Sequence, residues 1–294
     1  MIGNGLLFPG QGSQFVGMGK TRYEKCIEAR KLSEEANDIL GFDLRSLMFE
    51  GPEEKLRLTE YAQPAIFVAS AMAFECYKKL GEPFSVAAGH SLGEYSALYA
   101  SGTFSFRDGL ELVSKRGAAM SSENAKGMMY AVLGMEIDKL KDYINRQNGK
   151  VEIANINSAV QIVISGSNDA INNVVRDIES DYHEAVTLRK LEVSAPFHCF
   201  MMKEAKKTME KEIDKIPFNV PVIPVIPNVT AIPTRDVEII KKSLKSQITS
   251  TVDWLGSILK MKEMQVAKFY EIGEGDVLKK MNKVITLRPR CCSV

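Results

Sequence analysis

The amino-acid sequence predicts an α/β protein, with a doubly wound, mainly parallel sheet as its body and an inserted small ferredoxin-like α+β subdomain. Short apolar runs alternate with longer helical patterns over residues 1–125 and again after residue 195. The segment between them predicts the order strand–helix–strand–strand–helix–strand, the split unit of a ferredoxin-like fold. A chain of 294 residues is long enough for a large domain and a smaller one. We therefore predict a large catalytic domain of residues 1–125 and 196–294 and a small subdomain of residues 126–195.

In the first segment, each predicted strand leads through a loop into helices. Residues 6–8 form a short apolar strand before a glycine-rich loop, and residues 85–88 form a second strand before a tight bend. The helical patterns cover residues 21–40, 60–80, 91 onward and 107–122. The helix over 60–80 is expected to start near Gln63-Pro64, because proline is tolerated in a first turn.

The insert and the segment after it supply the remaining elements. The predicted strands of the insert are residues 127–134, 151–157, 160–167 and 185–194, and its helices are 136–147 and 168–179. Afterwards helices are predicted at 199–215, 236–249 and 253–263, with strands at 222–226 and 267–272. A cleft between body and insert is the expected place for a ligand.

Composition excludes several classes of protein. With 45% apolar and 26% charged residues and a net charge of +1, nothing favours broad binding to nucleic acid or to a membrane surface. The longest apolar run, residues 64–74, is shorter than the roughly 20 residues that span a bilayer. The N-terminus has no signal-peptide pattern.

The five cysteines are scattered and lack metal-ligand spacing, which favours a reducing cytoplasm and no metal site. Adjacent Cys291 and Cys292 are interpreted as part of a frayed tail. The glycine-rich loop has neither a dinucleotide nor a Walker motif, so no nucleotide cofactor is expected.

Residues 89–93, GHSLG, match G-x-S-x-G, a pattern that sets a serine on a tight bend between a strand and a helix. Such a bend exposes the hydroxyl and directs backbone N–H groups at the charge that develops during acyl transfer. Ser91 is therefore a candidate nucleophile. The alternative is a chance turn in which Ser91 only caps the helix.

A serine nucleophile needs a base, and the chain has three histidines. His90 adjoins Ser91 and is expected to support the turn, and His183 lies in a charged stretch. His198 lies where a strand ends at a proline and a helix begins, a junction that suits a catalytic group facing a cleft. A main-chain carbonyl can hold its working tautomer, so no Asp is required. The alternative is a helix-terminal histidine that satisfies backbone groups.

Seven stretches occur in an order and at a spacing that resemble one family, the malonyl-CoA:acyl carrier protein transacylases. They are FPGQGSQFVGMG (8–19), GHSLGEYSAL (89–98), KRGAAM (115–120), NINSAVQIVISG (155–166), VSAPFHCFM (193–201), IPNVTA (226–231) and EIGEGDVL (271–278). The family includes the bacterial fatty-acid-synthesis enzyme and stand-alone acyltransferases of some polyketide synthases. The resemblance covers nearly the whole chain.

The resemblance implies a role for each matching catalytic position. Ser91 is the implied nucleophile that carries the acyl ester, and His198 the base and then the acid. Gln11 and Leu92 supply the backbone N–H groups of the oxyanion hole. The main-chain carbonyl of Gln247 orients His198.

For substrate binding, the resemblance implies that Arg116 holds the free carboxylate of a malonyl group and that Gln63 lines the pocket. Phe197 lies in the region linked to acyl-chain choice. Met120 belongs to an apolar stripe on the helix over 107–122, and Arg116 flanks that stripe. An arginine directed inward needs a partner, because an unpaired buried charge is costly. A dicarboxylic acyl group is one candidate partner, and a carboxylate of the protein is the alternative.

The resemblance, together with Ser91 and His198, implies a ping-pong transfer of malonyl from coenzyme A to the phosphopantetheine thiol of an acyl carrier protein, for fatty acid biosynthesis, with no cofactor. One alternative is a trans-acting acyltransferase that loads carrier domains of a polyketide synthase. A serine thioesterase of the α/β-hydrolase kind is disfavoured, because it requires a histidine near the C-terminus and none follows residue 198. A non-catalytic carrier-binding module is the remaining alternative.

Overall fold

The computed structural model describes residues 3–122, 126–285 and 291–293. Over these residues the chain forms two five-stranded sheets surrounded by helices. The strands are β1 (Asn4–Phe8), β2 (Phe84–Gly89), β3 (Gly127–Leu133), β4 (Val151–Ser158), β5 (Gln161–Ser167), β6 (Thr187–Lys190), β7 (Val225–Ile226), β8 (Val252–Asp253), β9 (Phe269–Glu271) and β10 (Cys291–Ser293). The helices are α1 (Lys20–Lys25), α2 (Ile27–Leu40), α3 (Leu44–Glu50), α4 (Glu53–Arg57), α5 (Thr59–Lys78), α6 (Gly93–Ala100), α7 (Phe106–Ser121), α8 (Ile137–Asn145), α9 (Asn168–Tyr182), α10 (Lys203–Lys215), α11 (Val237–Gln247), α12 (Trp254–Glu263) and α13 (Val277–Ile285).

The body contains a parallel sheet with strand order β10-β9-β1-β2-β7. Alternate residues of its central strand enter different cores, as expected for strands buried on both faces. Leu6 and Phe8 pack in the core shared with α2, α5 and α7, whereas Leu7 packs with Trp254 of α12 and Leu278 of α13. The predicted doubly wound, parallel arrangement is therefore confirmed.

The second sheet has the order β6-β3-β5-β4-β8. Its first four strands pair antiparallel, which gives the order 4-1-3-2 of a ferredoxin-like unit. One face packs on the apolar stripes of α8 and α9, and the other packs towards the core of the body through residues such as Met129 and Val163. The fifth strand, β8, pairs in parallel with β4 and lies outside residues 126–195, so the small sheet extends beyond the predicted insert.

Several predicted boundaries differ from the structure. The helix predicted over 21–40 is two helices, because Cys26 adopts an extended conformation between α1 and α2. Helix α5 begins at Thr59, so Pro64 lies inside it and not at its start. The tail prediction was also wrong, since Cys291–Ser293 form an edge strand beside β9. Within the described ranges, the helices are all too short or too polar to cross a bilayer.

Candidate active site

The bend between β2 and α6 presents Ser91 in a left-handed backbone conformation, with φ of 51°. Residues other than glycine rarely adopt this backbone conformation, and such strain is typical of functional turns. The two flanking glycines are required by close packing. A Cβ on Gly89 would lie 1.9 Å from the backbone of Gly93, and one on Gly93 would lie 2.0 Å from the carbonyl oxygen of Phe8. The G-x-S-x-G pattern thus has a steric cause here, beyond helix capping.

His198 reaches Ser91 across 107 positions of sequence, with Nε2 at 2.8 Å from Oγ. Its Nδ1 lies 2.9 Å from the main-chain oxygen of Gln247, which can only accept. The ring therefore carries its proton on Nδ1 and offers Nε2 as the acceptor for the serine proton. Burial, reinforced by the charge of Arg116, lowers the pKa of His198 to about 3, so the imidazole is neutral at physiological pH.

Arg116 is 1% exposed and sits beside the same serine. Its Nη2 donates to Oγ of Ser91 at 3.0 Å and to Oε1 of Gln247 at 3.0 Å, and its Nη1 donates to Oε1 of Gln63 at 2.8 Å. These acceptors are neutral, and Nε has no partner in the described part of the chain. Over the same residues no ion pair with a protein carboxylate is formed, so the structural alternative for Arg116 is not observed. Burial lowers the pKa of this guanidinium.

Two buried polar residues that sequence reasoning did not single out hold the bend in place. Asn228, after β7, accepts the Ser91 N–H at 2.8 Å and donates to the Gly89 carbonyl at 2.6 Å. Glu94 accepts the Asn228 N–H at 2.9 Å and the Gln247 side-chain amide at 2.7 Å. Burial raises the pKa of Glu94 to about 7. Both lie in stretches that carried the family resemblance, and a glutamate within an otherwise apolar helix is the signal that could have identified it.

The other two histidines do not contact the serine hydroxyl. His90 packs on the ring of Trp254 at 5.7 Å between centroids, and its Nε2 lies 2.9 Å from Oδ1 of Asn157. It thereby links the bend to β4 of the small sheet, in agreement with its expected supporting role. His183 is exposed at the end of α9.

A cavity of about 490 Å³ lies between the body and the small sheet and opens onto Ser91. The small sheet lines it with apolar side chains such as Met129 and Val163 and with polar ones such as Asn155 and Gln161. Seven of the nine predicted site residues line it, namely Gln11, Gln63, Ser91, Arg116, Met120, Phe197 and His198. The other two, Leu92 and Gln247, are buried behind its wall.

Comparison with known proteins places this geometry in a family. A family model described as acyl transferase domain matches residues 6–280. The chain is 40% identical over 294 residues to the malonyl CoA-acyl carrier protein transacylase of Bacillus subtilis strain 168, covering 98% of this chain and 92% of that protein. The chain belongs to the acyl transferase family, among the malonyl-CoA:acyl carrier protein transacylases.

Further similarities extend this family assignment. The chain is 42% identical over 276 residues to polyketide biosynthesis protein ThaF of Burkholderia thailandensis; the match covers 93% of this chain, which spans only 23% of ThaF. The crystal structure of an acyl-carrier-protein-S-malonyltransferase from Bartonella henselae superposes with a TM-score of 0.95 at 36% identity, covering 100% of this chain and 95% of that one. A type II PKS acyl-carrier protein in complex with its malonyl-transacylase matches with a TM-score of 0.94 at 32% identity, covering 99% and 96% of the respective chains.

In this transacylase the glycine-rich loop and the bend approach each other closely. A Cβ on Gly10 would lie 2.3 Å from the carbonyl oxygen of His90, so only glycine lets the loop come this near. The loop is also held by Gln11, whose side chain donates to Thr59 at 3.1 Å. The backbone N–H groups of Gln11 and Leu92 donate to no other described residue. They are therefore available to a negatively charged oxygen formed next to Ser91.

Proposed function

We propose that the protein transfers a malonyl group from coenzyme A to the phosphopantetheine thiol of an acyl carrier protein. The Ser91 Oγ attacks the thioester carbonyl as its proton passes to Nε2 of His198. The tetrahedral intermediate collapses, the C–S bond breaks, and His198 protonates the departing thiolate. In the second half the carrier thiol gives its proton to His198 and attacks the seryl ester, and the proton then returns to Oγ.

The observation that carries the proposal is the environment of Arg116. A guanidinium that is almost fully buried beside the nucleophile and contacts only neutral acceptors is an incomplete ion pair. A free carboxylate at the far end of the acyl group completes it with charge-assisted hydrogen bonds. A malonyl thioester carries such a carboxylate, whereas an acetyl thioester does not.

We further infer that the reaction uses no cofactor, because a serine, a histidine and backbone donors suffice for acyl transfer. The implied roles of Gln11 and Leu92 as the oxyanion hole, of Gln63, Met120 and Phe197 around the acyl group, and of the Gln247 carbonyl behind His198 belong to the same proposal. A cytoplasmic location is proposed on the scattered cysteines of the sequence.

A second candidate differs only in its client. The similarity to polyketide biosynthesis protein ThaF, at 42% identity, favours an acyltransferase that loads carrier domains of a polyketide synthase. A panel of purified carrier proteins from fatty acid and polyketide pathways, with transfer rates compared at equal concentration, separates the two clients.

The test of the proposed chemistry is intact-protein mass spectrometry after mixing with malonyl-CoA. The wild type is expected to gain one malonyl group that is discharged by a carrier thiol. Ser91→Ala is expected to gain none, and His198→Ala is expected to gain it slower by about two orders of magnitude or more, since a general base contributes about 10²–10⁴-fold. An adduct on Ser91→Ala, or discharge to water as fast as to the carrier, contradicts the proposal.

A further inference from the structure

The carboxyl group of Glu94 lies at the centre of the hydrogen bonds that hold the site together. Its residue is 1% exposed, in the first turn of α6. Its Oε2 accepts from the backbone N–H of Asn228 at 2.9 Å and from Nε2 of Gln247 at 2.7 Å. Its Oε1 is buried without a partner among the described residues. Because buried polar atoms nearly always have a hydrogen-bond partner, a carboxyl group with one unpartnered oxygen requires an explanation beyond stability.

One branch from Glu94 leads to the acyl-binding end of the site. A carboxylate oxygen without a proton only accepts, so the NH₂ end of Gln247 must face Glu94. The opposite end of that amide, Oε1, then faces Nη2 of Arg116 at 3.0 Å. The main-chain oxygen of the same glutamine accepts from Nδ1 of His198. Fixing one amide therefore orients the guanidinium and supports the segment that holds the base.

The other branch leads to the nucleophile. Glu94 fixes the backbone of Asn228, whose side chain spans the bend. Oδ1 of Asn228 accepts from the N–H of Ser91 at 2.8 Å, and Nδ2 donates to the carbonyl of Gly89 at 2.6 Å. Asn228 thus holds the left-handed backbone of Ser91 on both sides, and Asn228 is itself held by its hydrogen bond to Glu94.

We propose that Glu94 is a positioning residue for acyl transfer, and that the accepting position of its Oε2, and not its charge, sets the guanidinium of Arg116 and the backbone of Ser91. This inference rests on the proposed function, since it assigns a role in the malonyl transfer. The unpartnered Oε1 fits it well. A proton on Oε1 leaves Oε2 free to accept both hydrogen bonds, so the arrangement survives protonation of a carboxyl whose pKa burial raises to about 7.

Three substitutions separate position from charge. Glu94→Gln keeps a carbonyl oxygen in the place of Oε2 and removes the charge. Glu94→Asp keeps the charge but withdraws the acceptor by about 1.5 Å, one C–C bond. Glu94→Met keeps the length and removes the acceptor. Ser96→Ala is the matched control, because its buried hydroxyl lies on the same helix and has no partner in the described part of the chain.

The readout is the rate of acyl-enzyme formation with malonyl-CoA and with acetyl-CoA, followed by quenched-flow mass spectrometry. We expect Glu94→Gln and Ser96→Ala to stay within about threefold of wild type. We expect Glu94→Asp and Glu94→Met to lose at least about tenfold with malonyl-CoA, since the acceptor of both hydrogen bonds is withdrawn or removed. The loss with acetyl-CoA should be smaller, because acetyl does not use Arg116.

Each other outcome overturns the inference. If Glu94→Gln and Glu94→Met lower the acylation rate equally, the charge of Glu94 and not the position of its acceptor is responsible. If a variant lowers the rate equally with malonyl-CoA and acetyl-CoA, Glu94 supports the structure in general. Unchanged rates in Glu94→Asp and Glu94→Met remove the role altogether. If Glu94→Met does not fold, the comparison of Glu94→Gln with Glu94→Asp decides alone. A wild type that forms no malonyl adduct is a failure of the proposed function, and it is visible before any variant is measured.

Discussion

Replacing Arg116 by alanine should abolish the preference for malonyl over acetyl while leaving the serine chemistry in place. The guanidinium is buried, and its Nη2 lies 3.0 Å from the Ser91 hydroxyl, so a carboxylate at the far end of a short acyl group on Oγ is within its reach. Two charge-assisted hydrogen bonds to that carboxylate contribute about 1.5–3 kcal/mol each.

The lower end of that range applies here, because the guanidinium already forms hydrogen bonds in the free enzyme. It already donates to the side-chain oxygens of Gln63 and Gln247, and the malonyl carboxylate replaces such neutral contacts. A net loss of about 3 kcal/mol corresponds to about 10²-fold in the rate of acylation with malonyl-CoA. In Arg116→Ala the acylation rate with acetyl-CoA should not fall comparably, because acetyl makes no contact with the guanidinium and no longer leaves a buried charge without a partner. The ratio of the acylation rates with malonyl-CoA and acetyl-CoA should therefore fall by at least about 10²-fold.

The assay compares acylation rates with the two thioesters on the same preparation. Lys115→Ala is the matched control, because it removes a basic side chain from the adjacent position of α7. The Lys115 side chain is 46% exposed and forms an ion pair with Glu212. Arg116→Lys keeps the charge without the planar fork, and it should fall between wild type and alanine. A malonyl-to-acetyl ratio in Arg116→Ala within about threefold of wild type would refute the clamp and with it the main support for a dicarboxylic substrate.

Two further predictions follow from the buried titratable groups. The pKa of His198 is lowered to about 3 and the base stays neutral, so kcat/KM for acylation should stay constant from pH 8 down to about 5. An inflection near pH 6.5 that also occurs in Glu94→Gln, and so does not come from Glu94, contradicts this prediction. The pKa of Glu94, raised from 4.5 to about 7, means that the folded state binds this proton more tightly than the unfolded state, so wild type should lose stability relative to Glu94→Gln as pH rises. The difference in unfolding free energy, measured in urea between pH 4.5 and 8, should change by up to about 3 kcal/mol, and a pH-independent difference argues against it.

The sequence was sufficient for the elements whose pattern is local. Alternating apolar runs predicted the parallel body, and the insert predicted a ferredoxin-like unit, because each depends on periodicity within a few turns or strands. The strand β8 was not predicted as part of the small sheet. Its two residues, Val252–Asp253, pair with β4 from outside the insert, and nothing in a two-residue segment predicts its partner.

The site divides in the same way. Ser91 was accessible from a five-residue pattern and His198 from elimination among three histidines. The flank position of Arg116 on an apolar stripe indicated only that it needs a partner, and its role towards the acyl group came from the family resemblance. The carbonyl of Gln247 came only from the family resemblance. Glu94 was quoted in a motif without a role, because its contacts lie 134 and 153 positions away and no local rule connects them.

His198 and Arg116, the proposed base and the proposed acyl clamp, share one electrostatic environment, and on this proposal the identity of the acyl group affects the basicity of His198. The charge of Arg116 is the second cause, after burial, of the lowered pKa of His198. A carboxylate bound at Arg116 offsets that charge, so the imidazole becomes a stronger base when a dicarboxylic acyl group is present. An acetyl group leaves the full charge beside the ring, and the imidazolium that forms during proton transfer is then opposed by a like charge in a poorly screened cavity. On the proposed mechanism, selection against uncharged acyl groups therefore acts through the proton transfer as well as through binding, and the buried guanidinium of Arg116 contributes to both.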